Sequence, residues 1–197
     1  DSFNFHSKSC IKGLINCEEI HIFSDNKIFV YIDGIITNLS HEAEKISSDY
    51  NHLKKKIAYL YSVGFNLESH ICGSFNLFLF NYKNKELKII RDSRGTRSIF
   101  FAKHGSDLIF SSDQDTIIKK IKHISLNKNK LIEFLNWDYR SSKETYFKEI
   151  SRVEPRHYLI FNNMAILSKK YKLSENLFRQ NKDSKTNFKE LLYQSVS

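Results

Sequence analysis

Residues 73–113 carry apolar runs separated by short polar segments, a pattern typical of strands joined by tight turns. The strand-containing segments fall at 73–81, 87–95, 98–102 and 108–113. Turn-favouring residues, mainly Asn, Gly, Ser and Asp, occupy 81–85 and 104–107. The stretch therefore predicts two consecutive pairs of antiparallel strands, joined by a charged segment.

Similar patterns predict further elements on both sides of this stretch. Strands are predicted at 19–23, 27–32, 157–161 and 165–167, and helices at 40–44, 49–64, 113–121 and 129–137. Asp33 and Gly34 are expected to end the second strand, and Leu131, Phe134 and Leu135 to form the apolar stripe of the last helix. Short strands with helices grouped between them indicate an α+β fold with stacked, mostly antiparallel sheets.

Composition narrows the class of protein. The chain has 197 residues, of which 41% are hydrophobic and 14% aromatic, enough for a substantial core. No apolar run approaches the roughly 18 residues of a membrane span, and no signal peptide is visible. Cys10, Cys17 and Cys72 follow no metal-ligand spacing, and neither do the scattered histidines. Free thiols of this kind indicate a reducing, cytoplasmic environment.

The net charge of +9 raises the question of a nucleic-acid partner. The lysines are dispersed among Asn and Ile, and no Arg-rich run or aromatic RNA-binding motif accompanies them. The densest basic stretches, 119–130 and 169–189, resemble solvated faces or connectors. We therefore expect no nucleic-acid binding and no membrane association.

Two motifs in fixed order resemble the N-terminal glutamine amidotransferase domain of the asparagine synthase family. The first is carried by Gly73, Phe75, Arg91, Asp92, Gly95, residues 99–101, Ser112 and Asp113, and the second by Thr145, Phe147, Ile150, Val153, Pro155 and His157. The resemblance covers about residues 27–173. It implies the four-layered α-β-β-α sandwich of N-terminal-nucleophile hydrolases.

The same resemblance implies a domain organisation. Residues 1–173 would form the amidotransferase-like domain and 174–185, which are polar and aperiodic, a linker. Residues 186–197 would begin a synthetase domain, which supplies the ATP and Mg²⁺ sites of the family. No cofactor or metal is expected in the amidotransferase-like part itself.

The residues that would perform glutamine hydrolysis are altered. The family uses an N-terminal cysteine whose own α-amine acts as the base, whereas this sequence begins with Asp1, so no catalytic residue is identified. Cys10 is internal and is interpreted as a core thiol. Asp33 and Gly34 match the family's oxyanion-hole Asn-Gly pair, but a carboxylate cannot donate a hydrogen bond to an oxyanion. Ile35 replaces the acidic residue that follows.

Three further interpretations rest on the resemblance. Asp49 matches the aspartate that holds the substrate amine, although it fits a helix N-cap equally well. Asp33, Gly34 and Asp49 are therefore the candidate substrate-binding residues. Arg91 and Asp92 are expected to form a bidentate structural pair that organises the turn at Gly95.

Several functions remain open from the sequence. The chain is predicted to be the amidotransferase-like part of an ATP-dependent amide-forming ligase, acting on glutamine or on a small-molecule or peptide carboxylate. Its glutaminase chemistry is either degenerate, as in lasso-peptide cyclases, or completed by an N-terminal cysteine outside this sequence. A third possibility is a non-catalytic module for an acidic or peptide partner. The partner in cis would be the synthetase domain, and the oligomeric state is left open.

Overall fold

A computed structural model describes residues 11–13, 20–23, 26–39, 50–105, 107–121, 123–137, 143–162, 165–174 and 177. The strands in these ranges are β1 (Ile11–Gly13), β2 (Ile20–Phe23), β3 (Asn26–Leu39), β4 (Ile71–Asn81), β5 (Glu86–Arg91), β6 (Phe100–His104), β7 (Asp107–Ser111), β8 (Ser151–Arg152), β9 (His157–Asn162) and β10 (Ala165–Lys170). The α-helices are α1 (Tyr50–Ser62), α2 (Gln114–Ile118) and α3 (Lys128–Trp137). The predicted linker (174–185) and start of a synthetase domain (186–197) lie, apart from residues 174 and 177, outside the described residues.

The strands form two sheets. The larger has the order β10-β9-β5-β4-β3-β2 and is antiparallel throughout. The smaller has the order β1-β7-β6-β8, with β1 and β7 parallel and the other pairs antiparallel. Consecutive pairing of β4 with β5 and of β6 with β7 confirms the two strand pairs that the apolar runs predict.

Three apolar clusters show how the layers stack. The cluster between α1 and the larger sheet includes Leu53, Ile57, Phe75, Leu77, Leu79 and Ile90. The cluster between the two sheets includes Phe29, Phe78, Phe80, Ile99, Leu108 and Phe110. The cluster between the smaller sheet and α2 includes Ala102, Ile109 and Ile117. The order of layers is therefore α1, larger sheet, smaller sheet, α2, which confirms the predicted α+β sandwich.

Strand β4 shows why the sequence folds this way. Leu77 and Leu79 face α1, whereas Phe78 and Phe80 face the smaller sheet. Alternate residues of a strand point to opposite faces, so an uninterrupted apolar run suits a strand that is covered on both sides. Each fully buried Leu or Phe stabilises the fold by about 1.5–3 kcal/mol. The central position of β4 follows from its composition.

Two predicted details are wrong. Asp33 and Gly34 do not end the second strand, because β3 continues to Leu39 and pairs with β4 on both sides of Gly34. A ladder with so long a partner strand outweighs the low strand propensity of the Asp-Gly pair. In α3, Leu135 is 79% exposed and does not belong to a buried stripe. No helix in the described ranges is long and apolar enough to cross a membrane.

Candidate functional site

Asp33 and Gly34 lie in the middle of β3, opposite Asn76 and Phe75 of β4. Gly34 has φ +117°, and a Cβ atom there would lie 2.1 Å from the backbone oxygen of Ser74 and 2.8 Å from Nε of Arg97. Both distances are far inside van der Waals contact. Glycine is therefore required at position 34 for the close approach of β4 and for the Arg97 side chain that lies against it.

The Asp33 carboxylate is held by two donors. Its Oδ1 accepts a hydrogen bond from Nη1 of Arg97 at 2.8 Å, and its Oδ2 accepts one from Nδ2 of Asn76 at 3.2 Å. The side chains of Arg97 and Asp33 are 48% and 27% exposed, so this ion pair lies at the protein surface. Asn76 is fully buried, and its Oδ1 has no hydrogen-bond partner among the described residues. Asp33 acts as an acceptor in both contacts.

Arg91 fixes the backbone that carries Arg97. Its buried guanidinium donates to the carbonyl oxygens of Arg97 (2.7 Å), Gly95 (2.7 Å) and Val153 (2.5 Å). Burial lowers the pKa of Arg91 below its ordinary value; an arginine nevertheless remains charged. The hydroxyl of Tyr171 donates to the carbonyl oxygen of Arg91 at 2.7 Å, which ties the strand end to a distant segment.

Asp92 holds the same turn from the other side. Its Oδ1 accepts from the backbone N–H of Arg94, and its Oδ2 accepts from the backbone N–H and the hydroxyl of Thr96. Gly95 has φ +65°, and a Cβ atom there would lie 2.6 Å from Cγ of Pro155. The expected bidentate contact between Arg91 and Asp92 is wrong. Each side chain bonds instead to nearby backbone groups, whose polar atoms need partners once they are buried.

A pocket of 320 Å³ opens between the two sheets beside the Asp33–Arg97 pair. It is lined by Tyr31, Asp33, Phe78, Arg97, Ile99, Phe110, Ser111, Ser112 and Thr116. The aromatic rings pack against one another, with centroids 5.7 Å apart for Tyr31 and Phe78 and 5.4 Å apart for Phe78 and Phe110. The pocket therefore has an apolar floor, one ion pair and the four hydroxyl groups of Tyr31, Ser111, Ser112 and Thr116.

Residues 22–172 match a family described as the glutamine amidotransferase domain. The chain belongs to that family. This confirms the glutamine amidotransferase domain that the two motifs indicate and places the Asp33 pocket within it.

Two curated relatives are similar at low identity. The chain is 24% identical over 142 residues to a protein named Amidase chyE of Penicillium rubens; the alignment covers 69% of this chain and 20% of the relative. It is 27% identical over 105 residues to a protein named Amidase chry2 of Gibberella zeae; that alignment covers 53% of this chain and 15% of the relative. The chain thus spans about a fifth or less of the length of these relatives.

The remaining candidate residues of the amidotransferase domain are divided between described and undescribed segments. Asp49, Cys10 and Cys17 lie outside the described residues. Cys72 is a half-buried free thiol. Burial raises its pKa, so a smaller fraction of it is ionised to the reactive thiolate. Within the described ranges, no three His, Cys, Asp or Glu side chains are grouped as metal ligands.

The sequence predicts Asp33 and Gly34 as residues of a binding site, but it does not single out Arg97. The signal for Arg97 was present, since it stands two positions after Gly95 in the motif that carries Arg91 and Asp92. Its side chain meets Asp33 only because the turn at Gly95 points it toward β3. Ser111 and Thr116 gave no comparable signal, because isolated hydroxyl residues at a strand end or helix start fit turns and caps equally well.

Proposed function

We propose that this chain is the amidotransferase-like domain of a longer, asparagine synthase-type ligase that forms amides with ATP, and that its glutaminase reaction has been lost. Membership of the amidotransferase family and the greater length of the amidase-named relatives support the first part. The contacts of Asp33 support the second part.

The observation that carries the proposal is that both oxygens of Asp33 are hydrogen-bond acceptors. By resemblance, this position supplies an amide N–H donor to the oxyanion formed when glutamine is attacked. Loss of one such donor lowers kcat by about 10²–10³-fold. At Asp33 the donor is replaced by a carboxylate, whose negative charge repels an oxyanion. Arg97 directs one of its N–H groups to Asp33.

A domain without glutaminase chemistry still has a role in such a ligase. ATP and Mg²⁺ would be bound by the further synthetase domain in cis, which would activate a carboxylate. The amine would then come from free ammonia or from the substrate itself. A reducing cytoplasm is the compartment that suits the free thiol of Cys72.

The test uses the intact protein that contains this chain. We expect no glutamate release from glutamine above the rate without enzyme, together with ATP–pyrophosphate exchange that depends on a carboxylate substrate. Turnover of glutamine at about 1 s⁻¹ or faster, which is ordinary for an enzyme, would show that an N-terminal cysteine elsewhere in the protein completes the site. Absence of exchange with every carboxylate tried would instead favour a binding module.

A further inference from the structure

We infer that the pocket beside Arg97 binds a small carboxylate with an apolar or aromatic body rather than glutamine. The volume of 320 Å³ lies at the lower end of the range for small-molecule sites, about 300–1,000 Å³. The inference concerns what the pocket accepts and does not require the ligase activity proposed above. Three properties of the lining carry it.

The first property is an accessible guanidinium. Arg97 is held in place through its own carbonyl oxygen, which accepts from Arg91 at 2.7 Å. Only its Nη1 hydrogen-bonds to the described residues, through the contact with Asp33. A guanidinium has five N–H donors in a planar fork. The side chain is about half exposed, so the remaining donors can bind a ligand carboxylate in the bidentate mode that arginine favours.

The second property is a hydroxyl donor in the same pocket lining. The Oγ of Ser111 accepts a hydrogen bond from the backbone N–H of Asp113 at 3.1 Å. The hydroxyl hydrogen of Ser111 has no acceptor among the described residues. The hydroxyl of Thr116, in contrast, is used by the carboxylate of Asp113 at 2.9 Å. Ser111 can therefore donate to an anion in the pocket, whereas Thr116 contributes mainly its methyl group.

The third property is the aromatic floor. Phe78 and Phe110 stack across the two sheets, and Ile99 belongs to the same apolar cluster. An apolar body placed there is removed from water at no polar cost. The carboxamide of glutamine would lose its water hydrogen bonds against these side chains, and an unpaired buried amide is unfavourable. The cation favours any carboxylate, that of glutamine included, so the selection against glutamine comes from the floor, which disfavours its carboxamide.

Asp33 provides a specific test of carboxylate binding by Arg97. Its carboxylate competes with a ligand carboxylate for the same guanidinium, so substitution by Asn frees Arg97 while keeping the size of the side chain. We expect Asp33→Asn to strengthen carboxylate binding several-fold. A purely structural role for Arg97 predicts no such gain.

The experiment is a calorimetric titration of the intact protein with benzoate, benzamide and L-glutamine. We expect benzoate to bind at least tenfold more tightly than either amide, a difference of about 1.4 kcal/mol. Arg97→Gln should weaken benzoate about tenfold or more. Arg94→Gln is the matched control, because it removes the same charge from an exposed neighbour that does not line the pocket, and it should change the Kd less than twofold.

Equal binding of benzoate and benzamide would overturn the inference, as would unchanged benzoate binding by Arg97→Gln or tighter binding of glutamine than of benzoate. If Arg97→Gln does not fold, Arg97→Lys keeps the charge without the planar fork and should weaken benzoate several-fold. Glutamate release measured on the same preparation separates the two proposals. Release together with selective benzoate binding contradicts only the lost glutaminase activity, and no release together with non-selective binding contradicts only the carboxylate site.

Discussion

The guanidinium of Arg97 lies 2.8 Å from the carboxylate of Asp33, although the two residues are 64 positions apart in the chain. The contact joins β3 to the turn that follows β5, at the mouth of the pocket between the sheets. Because the pair is partly exposed, water screens the attraction, and its value for stability is small. Its consequence is chemical: in the function proposed above, this carboxylate stands in place of a donor to an oxyanion.

A double-mutant cycle on this pair measures that weak coupling. We expect Asp33→Ala, Arg97→Ala and the double variant to give a coupling free energy of about 0.2–1 kcal/mol in urea unfolding. Raising the salt concentration should reduce it further, because the pair is accessible to ions. A coupling above about 2 kcal/mol, unaffected by salt, would mean that the pair is more buried than the structure shows.

Gly34 tests the close approach of β3 and β4. We expect Gly34→Ala to lower the free energy of unfolding by about 3 kcal/mol or more, because the new methyl group combines backbone strain with a clash against the Ser74 oxygen. Gly64→Ala is the control, since Gly64 has φ +76° and open space around its Cβ position. It should lose only about 1 kcal/mol. Equal losses in urea denaturation would contradict the close contact.

Arg91 should matter more for folding than any exposed arginine. In Arg91→Met the carbonyl oxygens of Gly95, Arg97 and Val153 lose their shared donor; the contact with Val153 is buried, and the other two are partly buried. A buried acceptor left without a partner costs about 1–3 kcal/mol, so we expect a loss of about 2–3 kcal/mol. Arg94→Met should change stability by less than about 0.5 kcal/mol. Comparable chemical denaturation midpoints for the two variants would argue against this network.

Tyr171 gives a prediction about alkaline pH. Its buried hydroxyl donates to the carbonyl oxygen of Arg91, so Tyr171→Phe should cost about 1–2 kcal/mol at neutral pH. Burial, and then the charge of Asp92, raises the pKa of Tyr171 above its ordinary value. The unfolded chain releases the proton first, at a pH of about 10. The stability that Tyr171 contributes is therefore fully present below that pH and is lost as the pH rises further.

The measurement compares the Tm of the two proteins between about pH 9 and about pH 11, the range around the ordinary tyrosine pKa. The decline should be smaller for Tyr171→Phe, because the substituted side chain has no proton to release. Burial also raises the pKa of Tyr61, so some decline remains in the variant. The same decline in both proteins would mean that the Tyr171 hydroxyl is not buried in solution.

More of the fold than of the candidate site could be predicted from the sequence. The apolar runs of β4 and β5 and the polar turn between them are local patterns, and the structure places both strands as predicted. The end predicted for the second strand at Gly34 was wrong, because pairing with β4 is a long-range interaction that local propensity does not contain. Leu135 was predicted to belong to the apolar stripe of the last helix, but it is exposed, since spacing alone cannot tell which face of a short helix is covered.

The sequence by itself determined the pattern of apolar residues, the order of the strands along the chain and the family motifs, because each depends on residues that are close in the sequence. It also showed that Asp33 cannot donate to an oxyanion, a property of the side chain alone. Only the tertiary structure decided that Arg97 pairs with Asp33, that Arg91 and Asp92 hold backbone groups instead of each other, and that an aromatic pocket opens beside them. These contacts join residues far apart in the chain, and their partners are set by sheet register and layer packing.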